Sequence, residues 1–287
     1  MRRAIALAAL GLGTTSPNPP VGCVILRPDG RIAGEGWHVR KGEAHAETQA
    51  LARAGEQAAG ATAVVTLEPC NHYGRTQPCR EALISAGIRR VVIALIDPTS
   101  RGEGGAAMLA SAGLDVEVGA LADEAGILLG PWLTAQETRR PVITWSYVIG
   151  GHGITPLPAE SADAYRLRIN ADAILLSDGS ASEAVPGSHG GGILTVKDIT
   201  PGTDARDAAT ALYEGGVRNL LLHGGLDVAG PFLERQLIDR VVAYIPDSYE
   251  SQSPAASLPW PQLPPGFTIL GLSKVDGFAR IEAERSR

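Results

Sequence analysis

His45, Cys70 and Cys79 fall within one short stretch of the chain and offer one imidazole and two thiolates. Zinc favours that donor set, and three protein ligands leave its fourth position for water, as in a catalytic rather than a structural site. Glu47 follows two residues after His45, within Glu43-Ala44-His45-Ala46-Glu47. Zinc brings the pKa of a bound water close to neutrality, and a carboxylate beside it can move the released proton to a departing amine. Glu47 is therefore expected to be an acid/base and not a ligand.

His-x-Glu, then Pro-Cys, then Cys is the ordered signature of zinc nucleobase deaminases. Here Pro69-Cys70 and Pro78-Cys79 supply the cysteines, but eight residues separate the two instead of the usual two. The insert, Asn71-His72-Tyr73-Gly74-Arg75-Thr76-Gln77-Pro78, holds an imidazole, a guanidinium and a hydroxyl. It reads either as a substrate loop or as an exposed turn made by Gly74 and Pro78. Residues two apart in mid-helix point to different sides. His45 and Glu47 can thus serve one site only if His45 lies at a helix start.

The elements that must position these residues follow from the pattern. Residues 2–11 are Ala/Leu-rich and helical, and 21–26 and 31–37 read as strands of a hairpin turning at Pro28-Asp29-Gly30. Residues 44–54 read as a helix ending near Gly55, and 61–67 as an apolar strand delivering Cys70 just past its end. Pro78 suits the first turn of a helix through residue 86, with Gly87 as its cap, and 90–96 is the next strand. Alternating strands and helices imply a three-layer α/β sheet, whose ligands sit beyond the carboxyl ends of the strands.

A second domain is expected to begin near Pro141. Residues 141–147, 172–176, 219–223 and 241–244 read as strands, and 163–170, 204–214 and 230–236 as helices. The stretches 187–192 and 251–266 are rich in Gly or in Pro and Ser and read as loops.

Composition narrows the function classes. The 287 residues suit two domains, and 44% apolar content is enough for sizeable cores. The net charge is −6, and the basic residues form no polybasic face beyond pairs such as Arg2-Arg3 and Arg89-Arg90. Nucleic acid is not an expected partner. Three cysteines give no disulfide framework, which fits a reducing cytoplasm. No apolar stretch reaches transmembrane length, so no membrane partner is expected. The short apolar run at the N-terminus reads as the first helix and not as a signal peptide.

Several segments resemble a known family. Thr14-Thr15-Ser16-Pro17-Asn18-Pro19-Pro20-Val21-Gly22-Cys23-Val24, Gly34-Glu35-Gly36-Trp37-His38, His45-Ala46-Glu47 and Thr66-Leu67-Glu68-Pro69-Cys70 through Cys79 look like the deaminase half of the bifunctional riboflavin-biosynthesis deaminase/reductase. The resemblance implies an N-terminal cytidine-deaminase-like α/β/α domain over residues 1–140 and a dihydrofolate-reductase-like α/β domain over 141–287. It implies Zn2+ as cofactor and, as substrate, a diaminopyrimidinone carrying a ribosylamino phosphate. It also implies substrate contacts from Asn18, His38, His72 and Arg75. From the residues alone, Arg75 suits phosphate because a guanidinium binds two oxygens. His38 reads as a surface or cleft histidine, and Cys23 as a small buried hydrophobe.

The C-terminal half is similar to the family's reductase domain in Pro141-Val142-Ile143-Thr144-Trp145-Ser146-Tyr147, Ala171-Asp172-Ala173-Ile174-Leu175-Leu176 and Leu222-His223-Gly224-Gly225. It departs at the polar positions. Ser146 stands where the family has lysine, and His152 where it has aspartate. Asp178 lies in the phosphate-side glycine segment, Ala184 in the Asp-Asp/Asn-Pro segment, and His223 replaces the glutamate of Glu-Gly-Gly. A carboxylate at 178 would repel cofactor phosphates. NADPH is therefore not expected to bind. Residues 141–287 are instead expected to support folding and homo-oligomer formation. Three alternatives stay open. They are a bifunctional enzyme with a rebuilt reductase site, a deaminase of a related pathway with altered substrate, and a non-catalytic assembly protein with structural zinc.

Overall fold

The structure, a computed structural model, describes residues 1–73, 77–100, 102–150, 153–200, 202–247 and 263–286. The chain divides into two compact units, Met1–Glu137 and Thr138–Arg287.

The first unit is built on a five-stranded sheet of order β2-β1-β3-β4-β5. β1 (Gly22–Leu26) and β2 (Ile32–Trp37) form the expected antiparallel hairpin. β1 pairs antiparallel with β3 (Thr62–Leu67), and β3, β4 (Arg90–Leu95) and β5 (Asp115–Val118) run parallel. Alternate residues of a strand point to opposite faces, and helices bury both. On one face, Cys23, Ile25, Ala63 and Val65 pack against Ala46, Ala50 and Ala54 of α2 (Ala46–Ala54), Leu83 of α3 (Cys79–Ser85) and Leu109 of α4 (Gly104–Ser111). On the other, Val24 packs against Ala4 and Leu7 of α1 (Arg2–Ala8), while Leu67, at the end of β3, packs against Leu129 and Trp132 of α5 (Ala122–Thr138). Cys23 is a buried strand residue, as its apolar neighbours suggest.

α2 lies unusually close to β2. A Cβ built on Gly36 would stand 2.3 Å from the Ala46 carbonyl oxygen, and one on Gly34 2.1 Å from that of Ala50. Only hydrogen fits between the strand and the helix backbone there.

The second unit carries a mixed sheet of order β12-β13-β11-β6-β10-β8-β9, with β7 beside β6. β6 (Val142–Gly150), β8 (Ala173–Leu176), β10 (Asn219–His223) and β11 (Arg240–Pro246) run parallel. β7 (Gly153–Thr155), β9 (Ala181–Glu183), β12 (Phe267–Val275) and β13 (Phe278–Arg285) are antiparallel to their neighbours. α7 (Ala205–Glu214) and α8 (Leu226–Glu234) cover Ile143, Trp145 and Tyr147 on one face. α6 (Ala162–Ile169) covers Val148 and Val242 on the other, through Ala164 and Leu167.

Several elements differ from the sequence reading. α4, β5 and α5 lie in residues 99–138, to which the sequence reading assigns no element. α5 runs through Gly130 and Pro131, residues that ordinarily interrupt a helix. α8 starts at Leu226, not 230, and carries Pro231 inside it. The β12–β13 hairpin was not anticipated, because Phe267–Val275 exposes most of its apolar side chains and lacks clean alternation. Of the loop expected over 251–266, residues 251–262 lie outside the described residues.

Candidate metal and deaminase site

His45 sits at the N-cap of α2 in extended conformation, with φ −67° and ψ 162°. That is the helix-start placement the His-x-Glu spacing demands. β3 ends at Leu67, and Cys70 follows three residues beyond it. Pro78 caps α3, and Cys79 is that helix's first residue. His45 Nδ1 stands 3.6 Å from Cys70 Sγ and 3.3 Å from Cys79 Sγ, and the three donor atoms all lie within 4.8 Å of one another.

This group fits zinc. Bonds of about 2.3 Å to sulfur and about 2.0 Å to nitrogen in a tetrahedron put N and S about 3.5 Å apart, close to the separations found. The electrostatics agree. The Cys70 thiol is pushed down to about 4, chiefly by its hydrogen bond with Cys79, with His45 and the Cys79 backbone N–H acting the same way. Cys79 is pushed up by the same bond and by burial, so the sulfurs share a proton that a cation would expel.

Glu47, 3% exposed, lies one helical step inside. Burial raises its carboxyl above the ordinary value, and it is hydrogen-bonded to Cys79. Its carboxyl lies against the donor cluster, where burial favours the protonated form.

Asn18 and His38, both expected substrate contacts, meet each other. The Asn18 amide donates to His38 Nε2 at 3.1 Å, and His38 Nδ1 donates to the Ala44 carbonyl at 3.4 Å. His38 is not a surface residue but 3% exposed, with its ring edge-on to His45 at 5.3 Å between centroids. Burial, with His45 nearby, pushes it down to about 4, so it is neutral. His72 is exposed on the stretch between the cysteines, next to Tyr73, whose hydroxyl donates to Glu81. Arg75 lies outside the described residues. Sequence reasoning passed over Glu68, a buried carboxylate directly before Pro69-Cys70. The only signal for it was its adjacency to the cysteine.

In the second unit, Ser146 of β6 pairs in register with His223 of β10. Ser146 is fully buried, its hydroxyl is 3.4 Å from His223 Nδ1, and the His223 ring also bonds the Leu157 carbonyl. Asp178 is exposed and accepts from the Ser180 N–H and hydroxyl, and Ala184 is fully buried. His152 lies outside the described residues. None of the described helices is long and apolar enough to cross a membrane.

Comparison with known proteins places these features. Residues 1–95 match the family model for the cytidine and deoxycytidylate deaminase zinc-binding region. Residues 165–246 match that for the RibD C-terminal domain. The riboflavin biosynthesis protein RibD of Mycobacterium tuberculosis (strain ATCC 25618 / H37Rv) is 39% identical over 275 residues, covering 81% of this chain and 80% of that protein. The diaminohydroxyphosphoribosylamino-pyrimidine deaminase of Buchnera aphidicola subsp. Schizaphis graminum is 51% identical over 125 residues, 43% of this chain and 84% of that protein. A solved structure of the diaminohydroxyphosphoribosylaminopyrimidine deaminase/5-amino-6-(5-phosphoribosylamino)uracil reductase of Thermotoga maritima superposes with a TM-score of 0.80 at 25% identity, over 99% of this chain and 97% of that one.

Proposed function

From the premise that the chain belongs to the RibD family of riboflavin-biosynthesis proteins, we propose that residues 1–140 hydrolytically deaminate a diaminopyrimidinone ribosylamino phosphate. The observation that carries this reading is the buried Glu47 beside the three converging donors His45, Cys70 and Cys79. Zinc held by those donors would supply a Lewis acid that makes water a nucleophile near neutral pH. Glu47 takes the proton from the attacking water and returns it to the amine nitrogen as the C–N bond breaks, so that water is consumed and ammonia leaves. Burial raises the Glu47 carboxyl above its ordinary value, which favours the protonated form that the exchange passes through. Asn18, steadied by neutral His38, presents an amide able to read the pyrimidine edge. His72 and Arg75, from the stretch between the cysteines, are assigned to the ribosyl phosphate side.

Residues 141–287 form, in this reading, a reductase-like scaffold without reductase activity that serves folding and self-association. Ser146, His152, Asp178, Ala184 and His223 replace the polar residues of the reductase pattern, and the Ser146–His223–Leu157 bonds already occupy the groups at that end of the sheet. Three free cysteines, two of them wanted as thiolates, suit a reducing cytoplasm. A second reading keeps both activities. It draws support from the Thermotoga maritima protein, named for both, which aligns along nearly the whole chain. Ammonia release from the diaminopyrimidinone phosphate tests the first activity, and calorimetric titration with NADPH tests the second. No ammonia from zinc-loaded protein would refute the deaminase reading. Micromolar NADPH affinity with turnover of the deaminated product would replace the scaffold reading by the bifunctional one.

A further inference from the structure

Glu68 is a buried carboxylate that the proposed chemistry does not use. It is 5% exposed and stands two residues before Cys70. Its backbone N–H donates to the Leu95 carbonyl at 2.8 Å, extending the β3–β4 pairing past the end of β3. Its side chain then reaches across the end of the sheet. Oε2 accepts from the Asp97 N–H at 3.2 Å and from the Ser100 hydroxyl at 2.8 Å, and Oε1 accepts from the Ala106 N–H at 2.8 Å. Ala106 is the third residue of α4. The N–H groups of a helix's first turn have no partner inside the helix, so Glu68 caps α4 from a distant part of the chain.

The first turn of α4 also lies against the backbone that Glu68 anchors. A Cβ on Gly105 would stand 1.9 Å from the Pro69 carbonyl oxygen. Pro69 has a fixed φ and little freedom to yield. Cys70 is therefore held from behind by Glu68 and α4. It is held from ahead by the Cys79 N–H on its sulfur and the Arg80 N–H on its carbonyl, at 3.2 and 3.4 Å.

We infer that Glu68 is a positioning residue of the metal site: by clamping Asp97, Ser100 and the first turn of α4 together, its carboxylate sets the place of Cys70 Sγ and thereby how long zinc stays bound. The inference rests on the reading of His45, Cys70 and Cys79 as zinc ligands. Partners that orient a ligand from outside the coordination sphere typically contribute about 10–100-fold to metal affinity. The Glu68 clamp is expected to fall in that range.

The experiment follows zinc transfer from the full-length protein to an excess of a chromophoric chelator, beside the absorption of the cobalt-substituted protein. Glu68→Ala should release zinc about 10–100-fold faster. Gly105→Ala, which leaves Glu68 in place and presses on Pro69, should do the same and shift the cobalt–thiolate bands. Ser100→Ala removes one of three donors and should give a smaller increase. It keeps the test decisive if the other two variants do not fold. Wild-type release rates and cobalt spectra in folded variants, even with a lowered thermal midpoint, would overturn the inference and leave Glu68 a structural residue. A wild-type protein that takes up no zinc would overturn the ligand assignment and this inference with it.

Discussion

The backbone N–H of Cys79 donates to the sulfur of Cys70 at 3.2 Å. One cysteine thus holds the other with its amide while offering its own sulfur to the same point. The long insert between them leaves this contact intact, because α3 begins at Cys79 and brings its first N–H back to the end of β3. The donor set is carried at the N-termini of α2 and α3 and just past the end of β3.

The metal is the first expectation. The purified protein should carry about one zinc per chain with two sulfur ligands at about 2.3 Å. Cys70→Ser, Cys79→Ser and His45→Ala should each lose it. X-ray absorption showing four sulfurs, or none, would exclude the ligand set.

Glu47→Gln should keep zinc and fold but lower the deamination rate by about 10²–10⁴, the usual contribution of a positioned acid/base. Undiminished turnover in zinc-loaded Glu47→Gln protein would remove Glu47 from that role.

Arg75→Ala should raise KM for the phosphorylated pyrimidine far more than for its dephosphorylated analogue, since a guanidinium binds phosphate through paired bonds. Equal losses for both substrates would mean that Arg75 acts through loop structure.

Acid should weaken the second unit through His223. Burial, with Arg168 adding to it, lowers the His223 pKa below 6.5, while the Leu157 carbonyl opposes the shift. Between the folded and unfolded values the unfolded chain binds more protons, so stability rises with pH there. The loss therefore sets in as pH falls below about 6.5, the unfolded histidine value, and grows toward the folded pKa. Thermal midpoints of wild type and His223→Gln should diverge over that range, with wild type falling faster. Parallel curves would mean that His223 does not titrate on unfolding.

Strand β12 is at the edge of its sheet, and Ile269, Leu270 and Leu272 are 52%, 57% and 73% exposed among the described residues. A long apolar edge of this kind invites pairing with another chain. If the second unit supports self-association, Leu272→Glu should lower the mass measured by light scattering without changing zinc content. An unchanged mass would move the interface elsewhere.

The candidate metal site was legible because its donor residues fall in short motifs. His-x-Glu required a helix start at His45, and the chain folds that way. The supporting contacts were not legible. His38 reads in sequence as a surface or cleft histidine, yet it is buried and bonded to Asn18 and the Ala44 carbonyl, partners distant in sequence or on the backbone. Glu68 gives no sign of its partners in sequence, because its three donors come from residues 97–106, a loop and the first turn of α4. In the second unit the parallel strands announced themselves as apolar runs such as Leu220-Leu221-Leu222. The β12–β13 hairpin did not, since its outer strand buries too little to show alternation.

The narrow gap between β2 and α2 makes the depth of Glu47 a property of backbone thickness. Ala46, whose carbonyl faces Gly36, is the residue between His45 and Glu47, so any atom added at position 36 would press on the backbone that carries both. Gly34 and Gly36 touch no donor atom, yet they are expected to be as fixed in descendants of this sequence as the cysteines are. A library randomised at both positions and sorted for zinc retention should return glycine at each.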